Sequence, residues 1–493
     1  CTSLKEIVIP DSVTGIGEHA FSGCTSLSKV KLSNNLTIIE AGTFSGCTSL
    51  AEIVIPDSVT SIGKSAFSGC TSLAEIVIPD SVTSIGKSAF SGCTSLAEIT
   101  IPDNLTIIEA ETFSGCESLT EIVIPDSVSE IGESAFSNCA SLAEIVIPDR
   151  VTSIGKSAFS GCTSLTEIVI PDSVTEIGEY AFSGCTSLSK VKLSNNLTII
   201  EAGTFFDCTS LTEIVIPDSV TEIRGTGSYY NDNGAFSGCT SMKSITIGSG
   251  VEELDDSFIS FCRRLANINV SPNNKNYSSI DGVLFNKDGS KLLAYPRGNE
   301  RSKYTIPDGV TTVCKNAFLG CYIKTLTIPV SVTEIESNAF GNKYYSFYNT
   351  INDIYYLGTR EQWKEVVVGE NNSVITWARL HCADDPPCNH SWSEWEVVEE
   401  ATYEKDGLER RVCRRCSEEE TRVIPKLVKV SAIELSESEK TVFVGDTFTI
   451  TATVKPDNAW NRTVTWSSSD PSIATVDENG TVTAIAEGEA IIT

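Results

Sequence analysis

Apolar and polar residues alternate in a pattern that returns every 23 residues over the first 208 positions. The period is marked by ten cysteines: Cys1, Cys24, Cys47, Cys70, Cys93, Cys116, Cys139, Cys162, Cys185 and Cys208. Nearly the same segment runs around each of them, C-T-S-L-x-E-I-V-I-P-D-S-V-T-x-I-G-x-x-A-F-S-G. A fixed period of this length predicts a solenoid, in which each repeat forms one coil and stacks on the next.

Residues 50–73 show how one coil is expected to fold. Strict alternation predicts a strand with Ile53 and Ile55 facing inward and Glu52 and Val54 facing outward. The Pro-Asp pair that follows ends the strand and starts a turn. The core layer is then completed by Val59, Ile62, Ala66, Phe67 and Cys70. Stacking such coils places their strands side by side in a long parallel sheet.

The outward positions of this sheet form two rows. The acidic row is Glu6, Glu52, Glu75, Glu98, Glu121, Glu144, Glu167 and Glu213. The apolar row is Val8, Val54, Val77, Val123, Val146, Val169 and Val215. Both rows are interrupted by Lys29, Lys31, Lys190 and Lys192. The rows are either the solvated face of a copied unit or a docking surface, with Val giving apolar contact and Glu giving specificity for basic partners.

An insertion at residues 224–234, R-G-T-G-S-Y-Y-N-D-N-G, breaks the period in one coil. Surface loops tolerate such insertions without a functional reason. The alternative is a binding loop in which Tyr229 and Tyr230 are exposed anchors for a partner. The sequence leaves both interpretations open.

The repeated unit I-P-D-S-V-T-x-I-G-x-x-A-F-S-G-C resembles the BspA-like leucine-rich repeat family, also called the surface-antigen type. Residues 277–296 and 304–310 resemble the longer unit of that family, and residues 354–363 resemble its closing segment. The resemblance covers residues 1–381. It implies a mainly β fold, a leucine-rich-repeat solenoid with a parallel sheet. It also implies a place on the surface of host-associated microbes, where some members act as adhesins for extracellular matrix proteins or other bacteria.

The charge balance narrows the choice of partners. The chain has 65 acidic and 36 basic residues and a net charge of -29. Nucleic acid and anionic membrane surfaces are therefore not expected partners, because both require clustered Lys and Arg. No segment approaches the roughly 20 apolar residues of a membrane span, so we expect no direct membrane insertion. The chain opens inside a repeat and closes inside an apparent strand, and we expect signal and anchor sequences to lie outside it.

The periodic cysteines are expected to be free thiols. Equivalent residues on stacked coils lie about 4.8 Å apart with parallel side chains. A disulfide requires Cβ atoms about 3.8 Å apart and a nearly perpendicular torsion. A column of buried thiols that act as small apolar groups fits this geometry better than a set of bridges.

Residues 382–426 change in character and form a linker and a small cysteine module. Cys388 with His390, and Cys413 with Cys416, offer four soft ligands, enough for a closed tetrahedral zinc site. The segment resembles a small cysteine module of secreted proteins from anaerobic gut bacteria, and its two tryptophans, Trp392 and Trp395, are expected to pack its core. The alternative to structural zinc is a short β-hairpin with free or bridged thiols. His381 and Cys382 are assigned to the end of the solenoid.

Residues 427–493 contain short alternating strands with evenly spaced turn signals, which indicates a β-sandwich. Trp466 is the expected core aromatic residue. The run V-T-W-S-S-S-D-P-S-I-A-T-V-D-E-N-G-T-V-T-A-I-A-E-G resembles the bacterial immunoglobulin-like group 2 domain. In bacteria such domains are spacers or adhesive modules of exported proteins. This domain is expected to lack the end of its last strand.

The sequence favours a non-catalytic binding protein, extracellular or at the cell surface. Copied coils cannot bring unlike residues together at one point, as catalysis requires. No common catalytic motif is present, and no cofactor is required beyond the zinc considered above. The expected partners are extracellular host or microbial proteins. The alternatives are a spacer and an accessory segment of a larger exported enzyme whose catalytic domain lies outside this chain.

Overall fold

The computed structural model describes residues 1–226, 233–340, 351–386, 389–414 and 418–493. They divide into two compact units, Cys1–Asp385 and Pro386–Thr493. The first unit is the predicted solenoid, built of short strands and turns, with the five-residue helices Arg360–Lys364 and Ser373–Trp377 near its end. Within the described ranges, no helix has the length and apolar character needed to cross a bilayer.

Two rows of parallel strands run through the first unit. The first row consists of Glu6–Val8, Lys29–Lys31, Glu52–Ile53, Glu75–Val77, Glu98–Thr100, Glu167–Val169, Lys190–Lys192, Glu213–Val215, Ser244–Ile247 and Asn267–Val270. The second row consists of Ile38–Ile39, Ser61–Ile62, Ser84–Ile85, Ile107–Ile108, Glu130–Ile131, Ser153–Ile154, Glu176–Ile177, Ile199–Ile200, Glu222–Ile223 and Glu253–Leu254. Neighbouring strands pair with equivalent residues in register, as Ile62 does with Ile85. The solenoid with parallel sheets is therefore confirmed.

The first row is divided into short sheets. Its paired groups contain three, two, two and three strands. Residues 121–123 and 144–146 occupy the same place in their coils but form no strand. The sequence predicts one long sheet, which the structure divides into shorter ones. Most breaks of the first row fall where Glu follows Glu, and like charges opposite one another destabilise pairing, but Glu75 and Glu98 remain paired and the row also breaks between Lys190 and Glu213.

The second half of the solenoid uses longer strands. Tyr277–Ile280, Val283–Asn286 and Lys291–Ala294 form an antiparallel meander. Parallel strands continue from the meander in the order Thr312–Val313, Glu334–Ile335 and Val367–Val368. A second parallel sheet contains Lys303–Thr305, Thr325–Ile328, Asp353–Tyr356 and Arg379–Cys382. His381 and Cys382 thus lie in the last strand of the first unit.

Columns of identical side chains fill the core between the coils. Phe136 is fully buried and stacks on the Phe residues of both neighbouring coils, with ring centroids 5.4 and 5.3 Å apart. The cysteines form a parallel column of free thiols, as predicted. From Cys47 to Cys262, each thiol of the column donates to a carbonyl oxygen of an earlier coil, as Cys70 does to Phe44 at 3.2 Å. This replaces a disulfide framework by stacking and weak hydrogen bonds.

The second unit is entirely β where it has regular structure. The cysteine module is an antiparallel sheet of Glu396–Glu399, Gly407–Val412 and Glu419–Ile424. The remainder pairs Ala432–Leu435 with Ala452–Lys455, and it places Thr481–Ala484 between Thr447–Thr449 and Ala474–Val476. The ring of Trp466 is half-buried and lies beside Gly480. These strands agree with an immunoglobulin-like arrangement.

Candidate binding face

The Glu and Val rows lie on the outside of the first strand row. Alternation along each strand buries Ile53 to 5% exposure and leaves Val54 81% exposed. The predicted binding residues Glu52, Glu75, Glu98, Glu121, Glu144 and Glu167 are all exposed. The valines Val77, Val123, Val146 and Val169 have between 55 and 81% of their surface in solvent. We call this surface the Glu/Val face.

The Glu/Val face has a defined extent along the solenoid. Six consecutive coils, from the one with Glu52 to the one with Glu167, carry Glu in the acidic row. On one side this run meets Lys29, which lies in register with Glu52. On the other side Lys190 lies in register with Glu167, with 4.0 Å between Nζ and the carboxylate. The result is an acidic and apolar strip bounded by basic residues at both ends.

The chemistry of this strip is that of recognition. Its carboxylates are equivalent copies in solvent, each beside the same neighbours. Acid-base catalysis needs two groups whose surroundings push their pKa values apart. The repeated row places carboxylates and apolar side chains side by side over a long exposed surface.

The insertion loop is anchored at both of its described ends. Tyr229 and Tyr230 lie outside the described residues, so their predicted role stays a prediction. On one side of the loop, the Arg224 guanidinium lies 2.7 Å from the carboxylates of both Glu201 and Glu222, and its hydrogen bond lowers the pKa of Glu222. On the other side, Asn233 donates through Nδ2 to the Tyr180 hydroxyl at 3.1 Å.

The Tyr180 contact was missed by sequence reasoning, although a signal was present. Tyr180 stands where several other coils have Ser, and its backbone has φ of 56°. The equivalent residues Ser65, Ser88, Ser134 and Ser157 share this left-handed backbone, so the signal is the replacement of a small residue by tyrosine. Tyr180 covers Gly203 of the next coil and reaches the insertion loop from there.

The proposed zinc ligands are only partly described by the structure. Cys388 and Cys416 lie outside the described residues. Cys413 is buried and forms an isolated β-bridge with Trp392. Trp392 comes two residues after His390 in the chain. His390 stacks on Trp392 at 4.8 Å, and its Nε2 lies 3.3 Å from the carboxylate of Glu418. His390 and Cys413, the described member of each predicted pair, therefore lie on neighbouring chain segments, and zinc binding remains a prediction.

The tryptophans of the cysteine module stack on arginines. The Arg411 guanidinium lies 4.9 Å from the Trp392 ring and 4.7 Å from the Trp395 ring. The Arg422 guanidinium lies 4.3 Å from the Trp395 ring. Each cation over an aromatic face contributes roughly 0.5–1 kcal/mol when exposed. In this small module the stacked indole rings and guanidinium groups have the structural role that an apolar core has in a larger domain.

One further polar cluster, Cys382 with Asp384 and Asp385, brings potential metal ligands together near the end of the first unit. Its geometry is explained without a metal. Arg360 pairs with Asp385 at 2.7 Å, and the Cys382 amide donates to the same carboxylate at 2.8 Å. These hydrogen bonds lower the pKa of Asp385. The cluster closes the turn after the last strand.

Comparison with known proteins identifies both parts of the chain. Residues 1–120, 106–233, 228–292 and 294–360 match the family model "BspA type Leucine rich repeat region", with six copies. Residues 429–493 match the model "Bacterial Ig-like domain (group 2)".

A solved leucine-rich repeat protein from Bacteroides ovatus is similar to this chain with a TM-score of 0.55 and 26% identity. The match covers 78% of this chain and 85% of that one. A leucine rich cell surface protein from Faecalibacterium prausnitzii matches with a TM-score of 0.42 and 28% identity, over 74% of this chain and 90% of that one.

Curated relatives match shorter segments. An alpha-L-arabinofuranosidase of Bifidobacterium longum is 43% identical over 70 residues, which are 14% of this chain and 7% of the enzyme. An Ig-like virion protein of Serratia phage KSP90 is 44% identical over 77 residues, or 15% of this chain and 30% of that protein. The chain thus spans less than a third of the length of the curated relatives it matches. The glycosidase matches cover only Ig-like regions.

Proposed function

The chain belongs to the BspA-type leucine-rich repeat family, and from this premise we propose that it is an adhesin-like binding protein. Through its Glu/Val face it binds basic extracellular proteins of a host or of other microbes. The site is an extended surface, and the proposed partner is a protein whose contact region carries Lys or Arg around apolar side chains. The protein acts outside the cell or at its surface.

The exposed strip of Glu and Val over six coils carries this proposal. Exposed valines are normal when scattered, but a row of five valines in six coils, interrupted only by Thr100, is unusual on a soluble monomer and marks interaction surfaces. The adjacent carboxylates add long-range attraction for a basic partner and accelerate encounter. Lysines at both ends limit where a basic partner can bind and so define its register.

A non-catalytic role agrees with the family, whose repeat and Ig-like domains are typically non-catalytic. A surface location agrees with the description of the Faecalibacterium relative as a cell surface protein. Within this proposal the Ig-like domain is a spacer or a second adhesive module.

A second candidate is an accessory segment of a larger exported enzyme. The observation in its favour is the similarity between the Ig-like region and a short part of the Bifidobacterium arabinofuranosidase. In that case the solenoid would hold the enzyme near its substrate, and the complete gene product would carry a catalytic domain.

Charge reversal on the Glu/Val face tests the main proposal. The full chain is immobilised, and binding is measured for a panel of purified extracellular matrix proteins and bacterial surface proteins of high and low isoelectric point. The triple variant Glu98→Lys, Glu121→Lys, Glu144→Lys is expected to lose binding of basic proteins at least tenfold. A tenfold loss corresponds to about 1.4 kcal/mol, or about 0.5 kcal/mol for each of the three charges, which is within the range of exposed ion pairs.

The matched control reverses three exposed glutamates of the second strand row, with Glu130→Lys, Glu176→Lys and Glu253→Lys. This variant has the same net charge as the first and leaves the Glu/Val face unchanged. Equal loss in both variants would show that only net charge matters. Saturable binding that survives reversal of the Glu/Val face would reject that face.

A further inference from the structure

Two segments of the solenoid are nearly exact copies of each other. Residues 6–44 and 167–205 differ only where Gly15 is replaced by Glu176 and His19 by Tyr180. In both copies one strand reads Lys-Val-Lys, where the other coils of the 23-residue period have Glu-Ile-Val or Glu-Ile-Thr. The two Lys-Val-Lys strands are seven coils apart, or about 34 Å at the spacing of stacked strands. The first strand row therefore contains the same local charge pattern twice.

The two copies also have the same internal contacts. The Asn34 amide donates to the Asp11 carboxylate at 2.9 Å, and the Asn195 amide donates to the Asp172 carboxylate at 2.9 Å. In both copies the next asparagine donates through Nδ2 to the carbonyl oxygen of the same aspartate, at 2.8 Å. These hydrogen bonds fix the turn after each Lys-Val-Lys strand in the same way. The two surfaces are therefore structurally equivalent.

Each copy presents six exposed side chains, which we call a charge station. The first charge station consists of Glu6, Val8, Lys29, Lys31, Glu52 and Val54. The second charge station consists of Glu167, Val169, Lys190, Lys192, Glu213 and Val215. Along the solenoid axis, each station has Glu, Lys and Glu in one row and Val, Lys and Val in the other.

One lysine of each charge station is available to an external carboxylate. Lys29 has a Glu in register on each side, which partly neutralises its charge. Lys31 is in register with Val8, and Lys192 is in register with Val169. Among the described residues, neither Lys31 nor Lys192 forms an ion pair. Each is an exposed cation in an otherwise apolar row, and on a chain with a net charge of -29 such a cation is a specific place for one acidic side chain.

The spacing of a charge station limits the backbone that can match it. Successive side chains of a row are about 4.8 Å apart, so the first and third are about 9.6 Å apart. On one side of an α-helix, the residues three and seven positions along the chain lie about 4.5 and 10.5 Å from the first. On one side of an extended strand, the second and third residues lie about 6.6 and 13 Å from the first, and the third is out of step by more than about 3 Å. The spacing therefore favours a helix that lies along the solenoid axis.

We propose that each charge station binds one amphipathic α-helix of the partner, so that the chain binds two equivalent helices. The helix carries Lys or Arg, then Asp or Glu, then Lys or Arg at positions i, i+3 and i+7, with apolar side chains beside them. Its basic residues contact the two glutamates of the station, its carboxylate contacts the lysines, and its apolar side chains contact the valines. Complementary charges of this kind fix the register and disfavour other charge orders.

A second copy of the same face does not have this chemistry. Between the Lys-Val-Lys strands the acidic row has six consecutive Glu, so two such faces would place carboxylates opposite carboxylates over most of their length. The inference rests on the proposed function and makes it more specific, because the charge stations overlap both ends of the Glu/Val face. The basic partner then has an acidic residue within each of its contact helices.

Calorimetry on the full chain with two synthetic helical peptides tests the charge stations. The first peptide carries Lys, Glu and Lys at positions i, i+3 and i+7 with Leu beside them. The second has the same composition and net charge, but its order is Glu, Lys and Lys. We expect two equal sites per chain for the first peptide and at least fivefold weaker binding of the second. Absence of binding, a single site or equal affinity for the two peptides overturns the proposal.

Three variants locate the peptide sites. Lys31→Met and Lys192→Met each remove one charge from an exposed position and continue the apolar row, so each is expected to leave one site of unchanged affinity. The double variant should retain neither site. Lys64→Met is the matched control, because Lys64 is exposed in a turn outside the first strand row, and it should retain both sites. If Lys31→Met and Lys192→Met both retain two sites, the proposal is wrong.

The triple variant Glu98→Lys, Glu121→Lys, Glu144→Lys separates this inference from the proposed function, because it changes no residue of either charge station. If it loses basic proteins while the unmodified chain binds both peptides alike, the Glu/Val face is supported and the charge stations are rejected. If it retains basic proteins and still binds the first peptide at two sites, the charge stations are supported and the Glu/Val face is rejected.

Discussion

Lys190 lies directly in register with Glu167 on the neighbouring coil, and the strands that carry them are paired. Lys29 is likewise paired with Glu6 on one side and Glu52 on the other. Where Glu stacks on Glu along the same row, only Glu75 and Glu98 belong to paired strands. The coils with Glu121 and Glu144, which have Glu neighbours on both sides, form no strand there. In this row the unpaired neighbours are thus mostly Glu beside Glu, although Lys190 and Glu213 also belong to separate sheets.

The first prediction is that Glu121→Lys stabilises the solenoid. The substitution replaces two like-charge contacts by two opposite-charge contacts, each worth about 0.2–1 kcal/mol in a sheet. We expect a higher midpoint in urea denaturation. This increase should be smaller at high salt, where exposed ion pairs are screened. Glu130→Lys is the control, because Glu130 pairs in register with Ile107 and Ser153. An equal gain from both variants would show that only net charge was changed.

The repeat architecture was readable from the sequence because one period specifies both the inward residues and the stacking. The alternation around Ile53 correctly predicts which side chains are buried. The division of the first sheet was not predicted, because it depends on how neighbouring coils pair and not on any single coil. Phe261 and Arg297 at glycine positions were also missed, because these coils can be aligned only through the longer unit.

The second prediction concerns Gly203, which has φ of 65° and lies beneath the Tyr180 ring. Gly203→Ala adds a Cβ in the left-handed region, at a cost of roughly 1 kcal/mol, and this Cβ also overlaps with the ring. We expect a loss of about 2–3 kcal/mol in the free energy of unfolding. The insertion loop should also become more sensitive to protease, because Tyr180 holds Asn233.

Gly289→Ala is the matched control for this experiment. Gly289 has φ of 75° with no atom within 4 Å of an added Cβ, so it reports the backbone strain alone. If the two variants lose the same stability, the contact between Tyr180 and Gly203 has no energetic weight.

The third prediction is that the thiol column is unreactive in the folded protein. Burial raises the pKa of Cys93 and of Cys139 to about 12, from an ordinary value of 9.0. The thiolate is the reactive form, so alkylation at pH 8 should leave these thiols unmodified until urea is added, whereas the exposed Cys1 reacts at once. Mass spectrometry of peptides identifies the labelled positions, and rapid native labelling of Cys93 would contradict the prediction.

The same raised pKa values predict how stability depends on pH. A thiol with a folded-state pKa above its unfolded value is protonated in both states below pH 9, and its stabilising contribution is complete there. Between about pH 9 and 12 the unfolded chain loses protons that the folded chain retains, and stability falls. Urea midpoints at pH 7, 8 and 10 measure this fall. The fall in the urea midpoint from pH 7 to pH 10 should be smaller in the variants Cys93→Ala and Cys139→Ala than in the unmodified chain.

The fourth prediction is one zinc ion per chain in the cysteine module. Cys388, His390, Cys413 and Cys416 would supply a closed set of four ligands. The β-bridge between Trp392 and Cys413 brings the segments of His390 and Cys413 together. Inductively coupled plasma mass spectrometry on the reduced full chain should find equimolar zinc, lost in Cys413→Ser and His390→Ala. Cys1→Ser is the control and should retain it. Metal-free protein with an intact module would end this prediction.

The fifth prediction is that truncating one buried core ring destabilises the solenoid only in the coils next to that ring. Phe136→Ala removes a fully buried ring that stacks on Phe113 and Phe159, and such truncations cost about 3–5 kcal/mol. Because each coil contacts only its neighbours, hydrogen exchange should accelerate in residues 113–159 while the coils near residue 320 keep their protection. Phe443→Ala is the control, since that ring is 85% exposed in the second unit. Uniform loss of protection over the whole first unit would show that the coils unfold as one cooperative block.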